Sequence, residues 1–268
     1  MMAGARPVFA DIDPVRLTLD PQAAAAAVTP RTAAILPVHL YGQPADMPAI
    51  AALAARHNLA IVEDCCQAHL ATCAGRPVGS FGAAAAFSFY PTKNLGALGD
   101  GGAITTNDAS LAVRARRLRN GGQTDRYHHG EFGVNSRLDE IQAAILRARL
   151  PLLPQWTATR RGLAQRYRAS LQHSGIAIPP LCDDGHVYHL FPVRSPARDA
   201  LQSTLRAAGI ETLIHYPVPI PEQPALASER PAKCPVAAQV CAEILSLPLY
   251  PSLSPDAVDR VAAALTAT

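Results

Sequence analysis

The order of apolar patterns in the first third of the chain most limits the folds it can adopt. An apolar run at 33–40 and another at 59–62 enclose a segment, 46–58, whose apolar residues recur at helical spacing. The helical stripe consists of Ile50, Leu53, Ala54 and His57. Strand, helix and strand in this order predict a βαβ unit with a right-handed crossover over a parallel sheet. We therefore expect an α/β fold.

The remaining chain continues with strands and helices and changes character near residue 150. The other predicted elements are strands at 84–90, 101–106, 187–193 and 212–217, and helices at 110–119, 136–150, 156–173 and from 254 onward. We expect Ser136 and Ser254 to cap the helices that follow them. Short strands and proline turns are typical of the chain after residue 175. This change predicts a large domain at 1–152 and a small C-terminal α+β domain at 153–268.

The balance of charges argues against a nucleic-acid partner. The formal net charge is only +3, and basic residues cluster in a single run of Arg114, Arg116, Arg117 and Arg119. In a helix, such a run usually forms a solvated face. The alternative is that part of it contacts a phosphate-bearing substrate.

The cysteines and apolar segments favour a cytoplasmic protein without a membrane partner. Six cysteines contain no CxxC pair and no metal-ligand spacing, which is typical of reduced thiols and predicts no metal site. Residues 1–13 lack the charged start and apolar run of a signal peptide. No stretch approaches the ~18 to 20 apolar residues that a membrane-spanning helix needs.

The rarity of lysine draws attention to one residue. Of 24 basic side chains, only Lys93 and Lys233 are lysines, so this chain uses arginine almost wherever a positive charge suffices. A guanidinium group stays protonated and cannot act as an amine nucleophile. Lys233 lies in a proline-rich segment that is typical of an exposed loop, whereas Lys93 follows a predicted strand. Lys93 is therefore the candidate for amine chemistry.

Polar residues at successive strand ends match the needs of pyridoxal phosphate (PLP). Asp64 ends a buried strand, where ligands bind in open α/β sheets, although it could also be a helix cap. PLP needs an amine to bind its aldehyde, which Lys93 offers, and a carboxylate to keep its ring nitrogen protonated, which Asp64 offers. Gln67 could hydrogen-bond the ring hydroxyl, and Ser88 could hold the phosphate.

Two neighbouring features allow other interpretations. Gly96, Gly99, Gly101 and Gly102 follow Lys93, and we expect them to let the backbone turn sharply beside a bulky cofactor or to form a plain hairpin. His128 and His129 could suggest a metal hydrolase, but adjacent histidines do not easily face one ion, and the HExxH motif is absent from the sequence. We interpret these histidines as loop residues.

Several segments together resemble signatures of the DegT/DnrJ/EryC1/StrS aminotransferases. They are PVFADID at 7–13, PVHLYGQPADM at 37–47, IVEDCCQAH at 61–69, SFYPTKNLGALGDGGAI at 88–104, NSRLDEIQAAIL at 135–146, HYPVPIPEQPA at 215–225 and LPLYPSLSPDAV at 247–258. The resemblance implies the type I PLP-dependent transferase fold of aspartate aminotransferase, with a mostly parallel sheet in the large domain. It also implies a homodimer with shared active sites that aminates nucleotide-linked keto sugars, with glutamate as donor.

The resemblance assigns roles around the cofactor. Lys93 would be both the PLP-binding lysine and the base that moves a proton between Cα of the substrate and C4′ of the cofactor. Asp64 would face the ring nitrogen and Gln67 the ring hydroxyl. Ser88 would bind the phosphate, and Cys66 would occupy a position where a small residue packs against the ring.

Other matching positions are expected to bind the substrate or to act across the dimer. Asn135 would reach the phosphate of the cofactor in the partner subunit. His215, Tyr216 and Arg137 would contact the substrate, although His215 could instead be a satisfied histidine beside a proline turn. Dehydrase relatives replace the lysine by histidine, and the presence of Lys93 argues against that chemistry.

The resemblance also predicts a substrate and a missing segment. PTKNLGALGDGGA with NSRLDEIQAA most resembles the branch that aminates C-3 of dTDP-3-keto-6-deoxyhexoses. Members of the family normally begin several dozen residues earlier, with a GTxA-type turn that binds the phosphate and an aromatic residue that stacks on the ring. An N-terminally truncated copy is thus expected, and the alternative function is an inactive remnant that folds or dimerises without turnover.

Overall fold

Eight α-helices and eight strands make up the computed structural model, which describes residues 1–229 and 231–266 of the chain. The helices are α1 (Pro21–Ala27), α2 (Met47–His57), α3 (Ala109–Leu118), α4 (Glu140–Arg149), α5 (Leu153–Ser170), α6 (Arg198–Ala207), α7 (Pro235–Glu243) and α8 (Pro255–Thr266). The strands are β1 (Ala34–Ile35), β2 (Ala60–Asp64), β3 (Thr72–Cys73), β4 (Arg76–Pro77), β5 (Ala84–Ser88), β6 (Gly102–Thr105), β7 (Phe191–Arg194) and β8 (Ile244–Leu247).

The principal sheet has the order β1–β2–β5–β6. Strands β1, β2 and β5 are parallel, and β6 is antiparallel to β5. The α/β class with a mostly parallel sheet is thus confirmed. The first run of the βαβ unit is shorter than predicted, because Pro37 follows β1 and only an isolated bridge joins Val38 to Asp64.

Helix α2 begins and ends where local sequence signals predict. The Asp46 side chain accepts the main-chain N–H of Ala49 at 3.2 Å, and Asn58 takes the left-handed conformation at the C-cap. Ile50 and Leu53 are buried against the principal sheet, but His57 is exposed, so its assignment to the buried stripe was wrong. His57 is the last residue of the helix, beyond the part that packs on the sheet.

The start of α4 differs from the prediction. Ser136 does not cap it, since the helix begins at Glu140 with Asp139 as a cap residue that makes no side-chain hydrogen bond. The N–H of Ser136 instead donates to the carbonyl of Arg119 at 2.8 Å. Residues 134–136 pair with residues 118–121 as two adjoining extended segments, and this non-local pairing prevents an earlier helix start.

The C-terminal half has its own apolar core. Helices α5, α6 and α8 pack around the β7–β8 pair, with Tyr167, Phe191, Leu205, Leu245 and Val258 among the buried residues. The predicted strand at 187–193 begins later, at Phe191, and the one at 212–217 is reduced to a bridge between Leu213 and Ser246. Ser254 caps α8 as predicted, since its Oγ accepts the N–H of Ala257 at 3.2 Å. The domain boundary after residue 152 stays a prediction.

The surface of the protein bears on two predictions. The four arginines of the run at 114–119 are exposed on and just after α3, and Arg114 pairs with Glu131 at 3.1 Å. The run therefore lies on an exposed face of the described chain, and contact of part of it with a phosphate-bearing substrate stays a prediction. Across residues 1–229 and 231–266, no helix combines the length and apolarity needed to cross a membrane.

Candidate active site

Asp64 and Ser88 lie on one face of the principal sheet at the carboxyl ends of adjacent parallel strands. Asp64 is the last residue of β2 and is paired in register with Ala86 of β5. Side chains directly opposite each other in a sheet share a face, and so do residues two apart on a strand. Ser88 therefore lies on the same face as Asp64, roughly 7 Å further along the sheet.

This face carries small side chains and a carboxylate with few partners. On this face β5 contributes Ala86, opposite Asp64, and Ala84, two residues before it, and both are only half-buried. Asp64 Oδ1 accepts the N–H of Cys66 at 2.9 Å, and no described residue other than Cys66 pairs with the carboxylate. A flat ligand could rest here without displacing a bulky side chain.

The thiol of Cys66 lies beside the same carboxylate. Its Sγ is 3.8 Å from the carbonyl oxygen of Ala86. Burial, and then the neighbouring Asp64, raise the pKa of this thiol to about 12. Cys66 is therefore protonated at neutral pH, which favours packing over nucleophilic chemistry.

Lys93 lies in a tight loop, residues 90–98, here called the lysine loop. The N–H of Lys93 donates to the carbonyl of Tyr90 at 2.9 Å, and the N–H of Ala97 donates to that of Phe89 at 2.8 Å. A Cβ on Gly96 would lie 2.4 Å from the carbonyl oxygen of Pro91. The glycine is thus needed where the loop turns sharply and packs closely on itself, and its place beside a cofactor stays a prediction.

Helix α4 holds the second half of the lysine loop. Gln142 Oε1 accepts the N–H of Leu98 at 2.9 Å. Arg149 Nη1 donates to the carbonyls of Gly96 and Ala97 at 2.6 and 3.3 Å. These contacts fix the main chain that follows Lys93.

Lys93 is half-buried, and its side-chain amine makes no hydrogen bond to any described residue. Burial first, and the positive charge of Lys93 next, lower the pKa values of His189 and His215. Burial lowers the pKa of His69 to about 4. The three imidazoles near Lys93 are therefore neutral at physiological pH, so Lys93 has no competing cation among them.

Gln67 joins residues that are far apart in sequence. Its Oε1 accepts the N–H of Tyr41 at 2.6 Å, and its Nε2 donates to the hydroxyl of Tyr216 at 3.1 Å. The hydroxyl of Tyr41 donates to the carbonyl of His215, whose Nδ1 lies 2.9 Å from Ser246 Oγ. The network brings together the predicted residues Gln67, His215 and Tyr216.

Sequence reasoning missed several residues of this region. Tyr41 lies in the PVHLYGQ segment, which carried the resemblance but received no role. Asn94 directly follows Lys93, and His189 contacts it from a segment interpreted only as a strand. A buried polar residue beside the lysine was the one signal that could have drawn attention to Asn94.

Asn135 and Arg137 do not contact the cluster around Lys93. Both are exposed, and Arg137 Nε donates to Asn135 Oδ1 at 2.9 Å. They share a surface segment, 120–141, with four strongly exposed apolar side chains, namely Tyr127, Phe132, Val134 and Ile141. The roles of Asn135 at the cofactor phosphate and of Arg137 at the substrate stay predictions.

Glu63 lies on the opposite, fully buried face of β2. Its Oε1 accepts the N–H groups of Phe81 and Gly82 at 2.7 and 2.8 Å. Its Oε2 accepts the N–H of Gly79 at 2.7 Å and lies 3.2 Å from His39 Nε2. Burial alone would raise the pKa of Glu63, but these hydrogen bonds outweigh it and lower the pKa.

Two groups of side chains contain potential metal ligands. Ligand atoms of His39, Glu63 and Cys65 lie within 4.8 Å of one another. The hydrogen bonds to Glu63 and the N–H of Ala45 on His39 Nδ1 already use their lone pairs, so this group is structural. His128 contacts Asp125 and His129 contacts the carbonyl of Gly121, as expected for loop residues.

The residues at this sheet edge fit PLP. The unpaired amine of Lys93, the accessible carboxylate of Asp64 and the small side chains between β2 and β5 provide an amine, an acceptor and space for a ring. The Ser88 hydroxyl, which accepts the N–H of Tyr90 at 3.3 Å, can still donate to a phosphate.

Comparisons with known proteins give one consistent family. Residues 1–266 match the model of the DegT/DnrJ/EryC1/StrS aminotransferase family. The dTDP-3-amino-3,4,6-trideoxy-alpha-D-glucose transaminase of Streptomyces venezuelae is 51% identical over 254 residues, covering 93% of this chain and 67% of the relative. The UDP-N-acetyl-3-dehydro-alpha-D-glucosamine 3-aminotransferase of Acidithiobacillus ferrooxidans is 45% identical over 269 residues, covering 100% of this chain and 73% of the relative.

A solved structure has the same fold. The crystal structure of S. venezuelae DesV in complex with a ketimine intermediate superposes with a TM-score of 0.96. It is 49% identical, and the match covers 99% of this chain and 73% of DesV.

Proposed function

Because the chain belongs to the DegT/DnrJ/EryC1/StrS aminotransferase family, we propose that it transfers an amino group to a nucleotide-linked keto sugar. It is an aminotransferase with the type I fold of PLP-dependent transferases, and aminotransferases of this family use PLP. The observation that carries the proposal is the unpaired Lys93 amine next to the sheet edge that bears Asp64 and Ser88.

The proposed substrate is a dTDP-3-keto-6-deoxyhexose, aminated at C-3, with glutamate as the amino donor. The similarity to a dTDP-amino-sugar transaminase supports the choice of nucleotide and of sugar position. A UDP-sugar aminotransferase is less similar, at 45% against 51% identity, which favours dTDP over UDP. Amino-sugar biosynthesis is the process such a reaction serves.

Each residue at the sheet edge has a proposed task. PLP supplies, when bound, a ring that accepts the electrons released as a Cα–H bond breaks. The Asp64 carboxylate keeps a proton on the ring nitrogen, because an adjacent anion favours the protonated form. Ser88 holds the phosphate, Gln67 faces the ring hydroxyl, and Cys66 packs against the ring.

Lys93 is the proposed base. With PLP bound, its amine would move a proton between Cα of the amino donor and C4′ of the cofactor and, in the opposite direction, between C4′ and the carbon of the sugar that receives the amino group. The neutral histidines support this task, since none of them places a second positive charge beside the Lys93 amine. His215, Tyr216 and Arg137 are proposed to contact the sugar nucleotide.

We propose that the active enzyme is a cytoplasmic homodimer. The support is the exposed apolar segment at 120–141, in which Phe132 is 101% and Tyr127 is 77% exposed. Exposed aromatic side chains in one segment are typical of an interaction surface. Asn135, on the same segment, would then reach the cofactor phosphate in the partner subunit.

The first experiment exploits the two lysines of the chain. Purified protein with PLP should show a visible absorbance band that borohydride traps onto the chain, and Lys93→Ala should lose both. Lys233→Ala is the matched control and should retain both, since Lys233 is exposed and distant in sequence. A folded protein without the band would contradict the proposal and favour the inactive remnant.

Once the absorbance band has been observed, the second experiment tests turnover. Glutamate should convert the PLP spectrum to that of the amine form, and a dTDP-linked 3-keto-6-deoxyhexose should restore it faster than a UDP-linked 3-keto sugar. Restoration by the UDP sugar alone would overturn the substrate proposal and leave the aminotransferase assignment intact.

A further inference from the structure

His189 is buried against the residue that follows Lys93. Its Nδ1 lies 3.0 Å from Asn94 Oδ1, and Asn94 Nδ2 donates to the carbonyl of Val187 at 3.2 Å. Because that carbonyl can only accept, the amide oxygen of Asn94 must face His189. His189 therefore carries its proton on Nδ1 and donates it to Asn94.

The main chain of His189 is fixed as well. Arg160 of α5 is buried, and its Nη1 donates to the carbonyls of Tyr188, His189 and Leu249 at 3.1, 3.3 and 3.0 Å. No carboxylate among the described residues pairs with this guanidinium. Arg160 thus binds the backbone around His189 and holds the main chain from which the imidazole reaches Asn94.

We propose that His189 is a positioning residue for Lys93: by holding the Asn94 side chain, it fixes the main chain beside Lys93 and so sets where the amine reaches. Gln142 and Arg149 fix the lysine loop on its far side, after residue 95. The Asn94–His189 pair is the contact directly next to the lysine. This inference rests on the proposed function, since it concerns the capture of PLP.

The alternative is that His189 is a buried histidine that contributes only to stability. The two interpretations differ in whether His189 affects the bond between Lys93 and PLP. With PLP, the Lys93 amine would form a C=N bond to the aldehyde carbon, and the aldehyde oxygen would leave as water together with two protons from the amine. Pyridoxamine phosphate (PMP) carries an amine in place of the aldehyde, so it occupies the same site but forms no bond to Lys93.

The test compares PLP and PMP dissociation constants, measured by fluorescence titration of the apo protein. All variants carry Lys233→Arg, so that Lys93 is the one lysine side chain with which PLP can form a bond. His189→Ala and Asn94→Ala remove the pair, and His189→Asn retains an N–H donor close to the position of Nδ1. His186→Asn is the matched control, because His186 is a buried histidine of the same segment whose Nδ1 accepts the N–H of Tyr188 instead.

We expect His189→Ala and Asn94→Ala to raise the PLP dissociation constant by about three- to tenfold, the effect of one hydrogen bond. The PMP constant should stay within about twofold, His189→Asn should recover most of the PLP affinity, and His186→Asn should change neither constant. Equal weakening of PLP and PMP binding, or no weakening of PLP binding, would overturn the inference.

A wild-type chain that binds neither ligand would overturn the proposed function and this inference together. If His189→Ala does not fold, the Asn94→Ala and His189→Asn results decide.

Discussion

Replacing Glu63 by glutamine should destabilise the protein far more than the loss of one charge suggests. In the native chain both carboxylate oxygens accept two donors each, and the side chain is fully buried. Glutamine offers one oxygen and one NH2 group of nearly the same shape. In either orientation of the amide, its NH2 group faces two N–H donors, which then remain unpaired.

The expected magnitude follows from the number of bonds. The orientation that keeps Phe81 and Gly82 paired leaves the N–H of Gly79 and the Nε2–H of His39 unpaired. His39 cannot release that proton without giving up Ala45, whose N–H it accepts at 3.0 Å through Nδ1. Hydrogen bonds to a charged group contribute about 1.5–3 kcal/mol each, so Glu63→Gln should cost about 3–6 kcal/mol.

Urea unfolding followed by circular dichroism measures this cost. With an m-value of about 3 kcal/mol/M, the midpoint should fall by about 1–2 M. Glu211→Gln is the control, because Glu211 is exposed, and it should change stability by less than about 0.5 kcal/mol. A loss below about 1 kcal/mol for Glu63→Gln would refute the reasoning, since the buried donors would then have found other partners.

The stability difference between the wild type and Glu63→Gln should depend on pH. The folded-state pKa of Glu63 is lowered, so its contribution is complete above the unfolded-state value of about 4.3 and is lost as pH falls through the folded-state value. The stability difference between wild type and Glu63→Gln should therefore be constant near neutral pH and shrink below about pH 4. A difference that grows with acidification would contradict this sign.

Three further outcomes are expected. Gly96→Ala should lower stability in thermal unfolding by about 1–3 kcal/mol, because its Cβ would meet the carbonyl of Pro91 at 2.4 Å, whereas Gly162→Ala, in an open helical position, should raise it by about 0.5–1 kcal/mol. Arg160→Leu should cost about 2–4 kcal/mol in urea, since buried carbonyls lose their donor, and a neutral result would show that water replaces it. At pH 8, Cys66 should react with iodoacetamide at least about a hundredfold more slowly than a free thiol, because its pKa is raised to about 12, and mass spectrometry of the modified chain can disprove this.

Local signals in the sequence were sufficient for some elements and not for others. Helix α2 was predicted within a residue because Asp46 and Asn58, at its two ends, act through their own neighbours. The start of α4 was missed because Ser136 pairs with Arg119, seventeen residues earlier. A capping preference of about 1 kcal/mol does not compete with several non-local hydrogen bonds.

The same distinction applies to the candidate site. Asp64 and Ser88 could be placed on one sheet edge because strand alternation and parallel pairing are readable from the sequence. The hydrogen bond between Gln67 and Tyr216 spans 149 residues, and that between Asn94 and His189 spans 95. No local pattern encodes such contacts, so Tyr41 and His189 could only be found from the fold.

Substitutions at two adjacent positions on β2 should have different effects on folding and on activity. The Glu63 side chain is enclosed among backbone donors, and that of Asp64 lies on the half-open face. In a saturation mutagenesis library sorted once for protein abundance and once for enzymatic output, position 63 should be depleted in both sorts. Position 64 should be depleted only in the second. Two neighbouring positions would then give two kinds of inactive variant. Substitutions at position 63 would give unfolded protein, and substitutions at position 64 would give stable, inactive protein that can serve as a scaffold for new chemistry.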